Sequence, residues 1–554
     1  MSRPVLEDAA RAALRRGVDA VADAAGITLG PGGRDAVIGG PSGAPPVVTR
    51  DGATVADAVR LADPYAGMGA CLVREAAAHT RSVAGDGTTT TVVLAQAVYA
   101  AGLRAVVAGA GPIGVRYGIE TAAAAVVDRL TGTARPVTGE REAVRAASAA
   151  AGDRELGELV GRVLAKTGPA GVITVEEAHV PDVEAEFVEG MRLDKGLLSP
   201  FMVTHPQQAK AVLEDAYVLL HHGRIVSADQ LLPVLERVAP TGRPLLVVAD
   251  SLEPGALSLL VMNRLRGTLL CSAVAAPALG ARRLERLEDL AVLTGGQVVA
   301  PEKGLTLALT GLEDLGRAAR VVVTSDSTTV IGGMGSAASV RRRSAYLAGA
   351  VAAARSADDR EVLAGRLAGL TGGVCVVRVG GQTDPERAER MRRVTGAVAA
   401  TRAAMEEGVL PGGGAALVHA AGLLDDGLGL TGDERAGVLA LRAALSAPLR
   451  RIARNAGEDG EHVVARVAAE SRGWNASTGR YGDLLADGVL DPVRVTRTAL
   501  ESAVSVAGLL LTAGGLVADA RPRDEASVSW RRRGHGHHHA SGAGHSHGHT
   551  HGPG

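Results

Sequence analysis

The sequence predicts a multi-domain, α-rich protein in which helical segments near both ends enclose an α/β insert. Three observations carry that expectation. The chain has 554 residues, room for about three or four domains. Aromatic residues make up only 2% while glycine occurs 73 times, so packing must rest on Ala, Val and Leu, as in a helical, hinge-rich protein rather than a β-sandwich. Alanine-rich helical patterning also gives way, from Leu198 to Val330, to alternating strand-like and helical segments. The net charge of -1 provides no overall pull toward nucleic acid or a membrane surface. Cys71, Cys271 and Cys375 are odd in number and far apart, which favours a reducing compartment without a disulfide framework. Residues 1–17 alternate acids and arginines with no apolar h-region, so the expected location is cytoplasmic. The longest uncharged run, Ser502 to Ala518, is shorter than the roughly 20 residues of a spanning helix and reads as a buried core helix.

Taken in order, residues 5–27 have the 3.6-residue period of an amphipathic helix. It ends at Thr28-Leu29-Gly30-Pro31-Gly32-Gly33, followed by short strands at 36–38 and 47–49 and by Arg50-Asp51-Gly52. Next comes Ala84-Gly85-Asp86-Gly87-Thr88-Thr89-Thr90-Thr91, running into an apolar segment. Glycines permit positive φ and close ligand approach, and the first amides of the helix attract anions. Asp86 is a hard carboxylate suited to Mg2+ held on phosphate oxygens. No Walker lysine follows, so this is not a P-loop. The alternative is that Asp86 or Thr88 simply caps a helix. Helices over 92–130 break at Pro136, helical patterning returns over 140–168, and 171–176 reads as a strand. Inside the insert, Leu231, Leu232, Val234, Leu235 and Val238, and then Ala256, Leu257, Leu260, Val261 and Leu265, recur at helical spacing. Such stripes are ordinarily core.

Gly-Asp-Gly-Thr-Thr-Thr before an apolar helix resembles the nucleotide signature of the group I chaperonins, the GroEL family of 60-kDa heat-shock chaperonins, and the resemblance runs in register over about residues 5–520. It implies an α-helical equatorial domain (1–135 and 408–522), an α/β intermediate domain (136–189 and 374–407) and an inserted α/β apical domain binding substrate and co-chaperonin (190–373). Hinges would fall at Pro136, Gly190, Gly373 and Gly408. The implied cofactors are ATP, Mg2+ and K+. Nucleotide would be held by Thr28, Leu29, Gly30, Pro31, Arg50, Asp86, Gly87, Thr88, Thr89, Thr90, Gly412, Gly413, Asn475, Ala476, Ser477 and Asp491, with Asp51 beside the γ-phosphate. An apolar rim of Leu197, Phe201, Met202, Leu232, Leu235, Leu257, Val261 and Met262 would take non-native polypeptides and a GroES-type co-chaperonin. The implied assembly is a heptameric ring, stacked in pairs as a tetradecamer.

The chain departs from the family pattern in informative places. Gly32 stands where lysine is usual, and Ala278-Leu279-Gly280-Ala281-Arg282-Arg283 replaces a Gly-Phe-Gly-Asp-Arg-Arg string. Val394-Thr395-Gly396-Ala397 replaces Val-Glu-Asp-Ala, so Gly396 occupies the position of the aspartate that orients the attacking water. Such a loss costs about 100- to 10,000-fold in the assisted step, unless Asp51, Asp384, Glu386 or Glu389 substitutes. From Gly534 onward His535, His537, His538, His539, His545, His547, His549 and His551 alternate with small residues. A tail of that composition is expected not to fold, and its histidines are suited to Ni2+, Cu2+ or Zn2+. Two functions follow: an ATP-dependent folding machine, or a hydrolysis-impaired paralogue acting as a holdase or metal-binding protein.

Overall fold

A computed structural model describes residues 4–40, 46–169, 171–178, 182–188, 190–278, 280–371, 373–470 and 472–518. The histidine-rich tail and Leu279 lie outside the described residues.

Helices from both ends of the chain share one core. Glu7–Gly26, Pro64–Ala84, Thr88–Val107 and Pro112–Gly132 pack with Gly432–Ala444 and Val493–Thr512 around Leu14, Val18, Leu94, Tyr99, Ile119, Leu441, Leu500 and Leu511. With so few aromatics the helices must approach closely, and glycine permits it. A Cβ on Gly17 would lie 1.9 Å from the Ala66 carbonyl oxygen, and one on Gly118 would lie 1.9 Å from that of Glu434. The first helix begins slightly later than its periodicity predicts, because Val5–Leu6 pairs antiparallel with Gly515–Leu516 and ties the two ends together. Helix 88–107 is long and apolar enough to cross a membrane by composition, but here Val92, Leu94, Ala95 and Val98 are fully buried in the shared core. The run from Ser502 is the C-terminal half of the last helix, which stops at Thr512 rather than continuing to Ala518.

A second packing unit surrounds a three-stranded sheet. Val374–Val379 lies in the middle, parallel to Val172–Glu177 and antiparallel to Val183–Val188. Helices Gly139–Ala151, Arg154–Thr167 and Asp384–Glu407 cover it through Val160, Leu164, Val377, Val394 and Val398. The single helical stretch expected over 140–168 is thus two helices, separated where Gly152 adopts φ 61° and Asp153 caps the second.

The insert is a seven-stranded sheet: Gly190–Leu193, Thr328–Gly333, Gly316–Val323, Ala211–Ile225, Leu245–Leu252 and Cys271–Ala275 in spatial order, with Val298–Val299 also on strand 211–225. Side chains alternate between its faces. Leu219, Leu245 and Val247 meet helices Ala228–Val238 and Pro254–Arg266, whereas Val218, Leu246 and Val248 meet helices Ala281–Thr294, Ala337–Ala353 and Ala357–Thr371. On that second face the fully buried Asp289 is neutralised by Arg366 at 2.7 Å and Arg343 at 2.8 Å.

The three units meet at defined seams. Val322 and Ile331 of the insert pack on Val374 and Val376 of the small sheet, and Arg320 pairs with both Glu176 and Glu214. Where helix 384–407 meets the last helix, Glu407 accepts from Arg494 at 2.6 Å and Arg497 at 2.8 Å. Those guanidiniums, Arg497 foremost, hold its carboxyl at about 2, below the ordinary 4.5. A carboxylate whose pKa is depressed on folding contributes stability above its unfolded value and loses it as pH falls toward the folded value. Glu407→Gln should therefore cost about 1–2 kcal/mol at pH 6, allowing for solvent screening. The difference from the parent should vanish between pH 4.5 and 2, as read by urea denaturation across that window.

Candidate functional site

The turn between helices 64–84 and 88–107 is built from two left-handed glycines, Gly85 at φ 76° and Gly87 at φ 87°. Gly85 ends one helix by donating to the Arg81 carbonyl at 2.9 Å, and Gly87 opens the next. There is no room for a side chain at either place. A Cβ on Gly85 would sit 2.1 Å from the Cβ of Ala399 on helix 384–407, and one on Gly87 would sit 2.8 Å from Val495. Asp86 therefore projects from a turn clamped on both sides, its Oδ1 accepting from the Gly87 amide at 2.6 Å. Thr91 anchors the helix start by donating to the Gly87 carbonyl at 3.0 Å and to Thr80 Oγ1 at 2.9 Å.

Two further segments converge on this turn. A Cβ on Gly52 would lie 1.9 Å from Thr89 Oγ1 and 2.8 Å from Thr28 Oγ1, so the Thr28 turn, the Asp51-Gly52 step and the threonine run share one wall. Asp51 caps the short helix Gly52–Ala58, accepting from Ala53 N at 3.3 Å, Thr54 N at 3.1 Å and Thr54 Oγ1 at 2.5 Å. Arg81 lies 3.7 Å from it. Arg50 turns away from the threonines, donating to the carbonyls of Gly30 at 3.2 Å and Pro31 at 2.5 Å, and in this position it braces the turn. Asn455, which sequence reasoning missed, does the same from beneath, donating to the Gly26 and Leu29 carbonyls at 2.9 Å each. Gly32 also finds its explanation here. A Cβ on it would lie 2.7 Å from the Ala456 Cα, so the turn closes on 455–456 only without a side chain.

The opposite wall comes from the C-terminal part. Val409–Pro411 pairs antiparallel with Leu490–Pro492, bringing Asp491 beside the glycine loop, where the Gly414 and Gly413 amides favour its charged form. Gly413 (φ 64°) and Gly414 (φ 80°) are left-handed, and a Cβ on Gly412 would fall 3.1 Å from Asp491 Oδ1. Asn475 and Ser477 form a small turn, with the Ser477 amide 3.1 Å from Asn475 Oδ1, over the buried Trp474. Leu29 and Ala476 border the same apolar cluster as Trp474.

Asp51, Asp86 and Asp491 are close enough to feel one another. Asp86 is exposed to solvent and Asp491 half-buried, yet desolvation by the protein packed around them is the main upward push on both: Asp51 adds to it at the Asp86 carboxyl, and Asp86 adds to it at Asp491, which is pushed up to about 7. A cation would relieve both. Among the described residues no three His, Cys, Asp or Glu side chains are placed to hold a metal by themselves. The donor set fits a cation completed by ligand oxygens, with Asp86 as the protein's contribution.

The TCP-1/cpn60 chaperonin family model matches residues 21–521. The chain belongs to this family. Its fold is also similar to the crystal structure of the chaperonin gp146 from the bacteriophage EL 2 (Pseudomonas aeruginosa), obtained in the presence of ATP-BeFx. The TM-score is 0.67 at 21% sequence identity, covering 94% of this chain and 99% of that one.

In this chaperonin Gly396 lies on helix 384–407, one turn before the Ala399 that abuts Gly85. Nothing lies within 4 Å of a Cβ built on it. Asp384, Glu386 and Glu389 stand at the far end of that helix, paired with Arg387, Arg390, Arg392 and Arg393, and at roughly 1.5 Å per residue they are about 10 Å or more along the axis from Gly396.

The expected apolar rim is only partly a surface. Phe201, Leu232 and Met262 are exposed, and Leu197, Leu257 and Val261 are half-buried. Met202 and Leu235 do not belong to it: they are 0% and 5% exposed. The short turn Pro200–Met202, capped by Ser199, points Phe201 outward and Met202 into the core, where its Sδ lies 3.2 Å from the Ala273 amide. Leu235 follows Leu231, Val234 and Val238 onto the inner face of its helix.

The expected hinge residues sit where the chain crosses between units in adjacent pairs. Arg135, next to Pro136, bridges to Val409, next to Gly408. Gly190 touches Val374, and a Cβ on Gly373 (φ 61°) would lie 2.9 Å from the Val188 carbonyl. The contrast between two glycines gives a direct check. Gly32→Lys should destabilise the protein by about 1–3 kcal/mol through overpacking, whereas Gly396→Asp should stay within about 0.5 kcal/mol of the parent. Urea midpoints of both variants measure this.

Proposed function

We propose that this chaperonin is a folding chaperone whose equatorial cleft binds ATP with Mg2+ and K+, and whose apical surface binds non-native polypeptides. The observation that carries the proposal is the convergence of five stretches of the chain, 28–31, 51–52, 85–90, 412–414 and Asp491, on a single cleft walled by glycines. The chaperonin gp146 was crystallised with an ATP analogue, which supports the same ligand here. In the proposed complex the amides of residues 87–90 face phosphate oxygens at a helix start. Asp86 holds the cation side, Asp491 the ribose side, and Asn475, Ala476 and Ser477 the base. Bound Mg2+ would neutralise charge on the phosphates.

The proposed domain boundaries are those implied by the sequence, with hinges at Pro136, Gly190, Gly373 and Gly408. Each hinge joins two adjacent crossings, a geometry that permits rigid rotation. Nucleotide binding would then shift the orientation of the apical unit by its differential affinity for the two states, withdrawing Phe201, Leu232 and Met262 from the client. A GroES-type co-chaperonin, seven-membered rings, a tetradecameric stack and a cytoplasmic location belong to the same proposal. Metal binding by the histidine tail is a separate part of it.

Turnover is proposed to be slow, because Gly396 leaves an open space where the family places a water-orienting carboxylate. This favours, as a second reading, a chaperonin that holds clients without rapid cycling. Phosphate release and ATP titration on the parent and on Gly396→Asp decide between them. The expected result is similar ATP affinity and turnover about 100-fold or more higher in the variant; equal turnover would restore the full cycling machine. For the surface, Phe201→Ser with Met262→Ser should reduce capture of an unfolded client at least about tenfold with the urea midpoint unchanged, scored by suppression of light scattering.

A further inference from the structure

Arg145, on helix 139–151, reaches across to a loop 340 positions away in sequence. One guanidinium nitrogen donates to the Leu485 carbonyl and, at 2.8 Å, to that of Ala486. Residues 483–488 form a helical turn: the Asp487 amide donates to the Asp483 carbonyl at 3.0 Å, and the Ala486 amide to Asp483 Oδ1 at 3.1 Å. The Leu485 carbonyl accepts from the Gly488 amide at 3.4 Å, and the carbonyls at this end of the turn keep a second lone pair for a further donor and carry partial negative charge. A guanidinium is suited to both needs at once. Among the described residues no carboxylate lies within ion-pair distance of Arg145, so these carbonyls are its principal partners. Beneath them Leu485 packs with Ala146, Ala404 and Val409, next to the crossing at 135–136 and 408–409.

The other side of this loop is the base side of the cleft. Asp487 Oδ2 lies 3.5 Å from Asn475 Nδ2. The Val489 carbonyl accepts from the Gly412 amide at 3.0 Å, and the strand continues to Asp491, which lies against Gly412 of the glycine loop. Among the described residues the phosphate turn at 85–90 has no hydrogen bond to helix 139–151 and meets the intermediate unit only by the packing of Gly85 on Ala399. We infer that Arg145 is a positioning residue that fastens the base and ribose wall of the cleft to the intermediate unit, so that rotation of that unit and ordering of the base wall are coupled. The inference rests on the proposed nucleotide site.

The test uses the full-length protein, titrated in Mg2+ with ATP and, separately, with inorganic tripolyphosphate, which lacks base and ribose. Arg145→Met should weaken ATP about tenfold, within the usual span of coupling free energies, and leave tripolyphosphate binding unchanged. Arg145→Lys should recover most of the loss, since an ammonium can still reach one carbonyl. In the parent, amide exchange over 484–489 should slow with ATP and not with tripolyphosphate, a readout that needs no variant to fold. Unchanged ATP affinity in Arg145→Met, equal weakening of both ligands, or no ATP-specific protection overturns the role of Arg145 alone. Failure of the parent to bind ATP overturns the nucleotide reading and this inference with it.

Discussion

Backbone meeting backbone with no side chain between is the constraint on which this structure depends. The same device appears at two scales. In the helical unit, Gly17 and Gly118 let helices approach to distances that any Cβ would forbid, so a chain with very few aromatic residues still builds a dense core from Ala, Val and Leu. In the cleft, Gly85 lets its turn close on Ala399 of helix 384–407, and Gly412 lets its loop lie against the strand that carries Asp491. Close approach also gathers carboxylates: the Asp86 and Asp491 carboxyls are pushed up by the protein packed around them and by neighbouring aspartates, and they favour a cationic ligand.

The contact between Gly85 and Ala399 also explains why a change on helix 384–407 concerns the phosphate turn. The helix is rigid, is anchored at its C-terminal end by Glu407 on Arg494 and Arg497, and packs its middle on the small sheet. Ala399 therefore reports the position of the whole intermediate unit to the turn bearing Asp86. A glycine at 396 leaves that packing intact, since the space beside it is open. The contact of Ala399 with the phosphate turn thus does not depend on a side chain at 396.

Much of the cleft was legible in the sequence because its requirements are local. A left-handed turn needs glycine, a helix start needs threonine or aspartate nearby, and both leave short strings at 28–31, 85–91 and 412–414. The fold class was legible for a related reason, the change from alanine-rich helical patterning to alternating strands and helices. Side chains that act on distant carbonyls were not legible. Asn455 braces a turn more than 400 residues away, and an amide-to-carbonyl contact requires no particular neighbours in sequence. The rim was half legible: periodicity marks an apolar stripe at 231–238 but not which of its leucines face inward, so of the two expected on the rim Leu232 is exposed and Leu235 is buried. Phe201 and Met202 divided in the same way, because a tight turn sends consecutive side chains to opposite sides.

Gly32 shows how a departure from a family pattern is interpreted physically. Judged as a lost charge, the replacement of lysine by glycine would imply a weaker phosphate site. The structure gives another cause: the turn has closed on Ala456 and is held there by Asn455 and Arg50, so lysine is excluded sterically. Arg50 keeps its charge at the turn but spends its hydrogen bonds on the carbonyls of Gly30 and Pro31. The cationic character of this wall thus passes from a free ammonium to a bound guanidinium, which orders the loop as well as the field. At 396 the opposite holds, since nothing lies within 4 Å of a Cβ built there. The two glycines, alike in sequence, mark a closed wall and an open space.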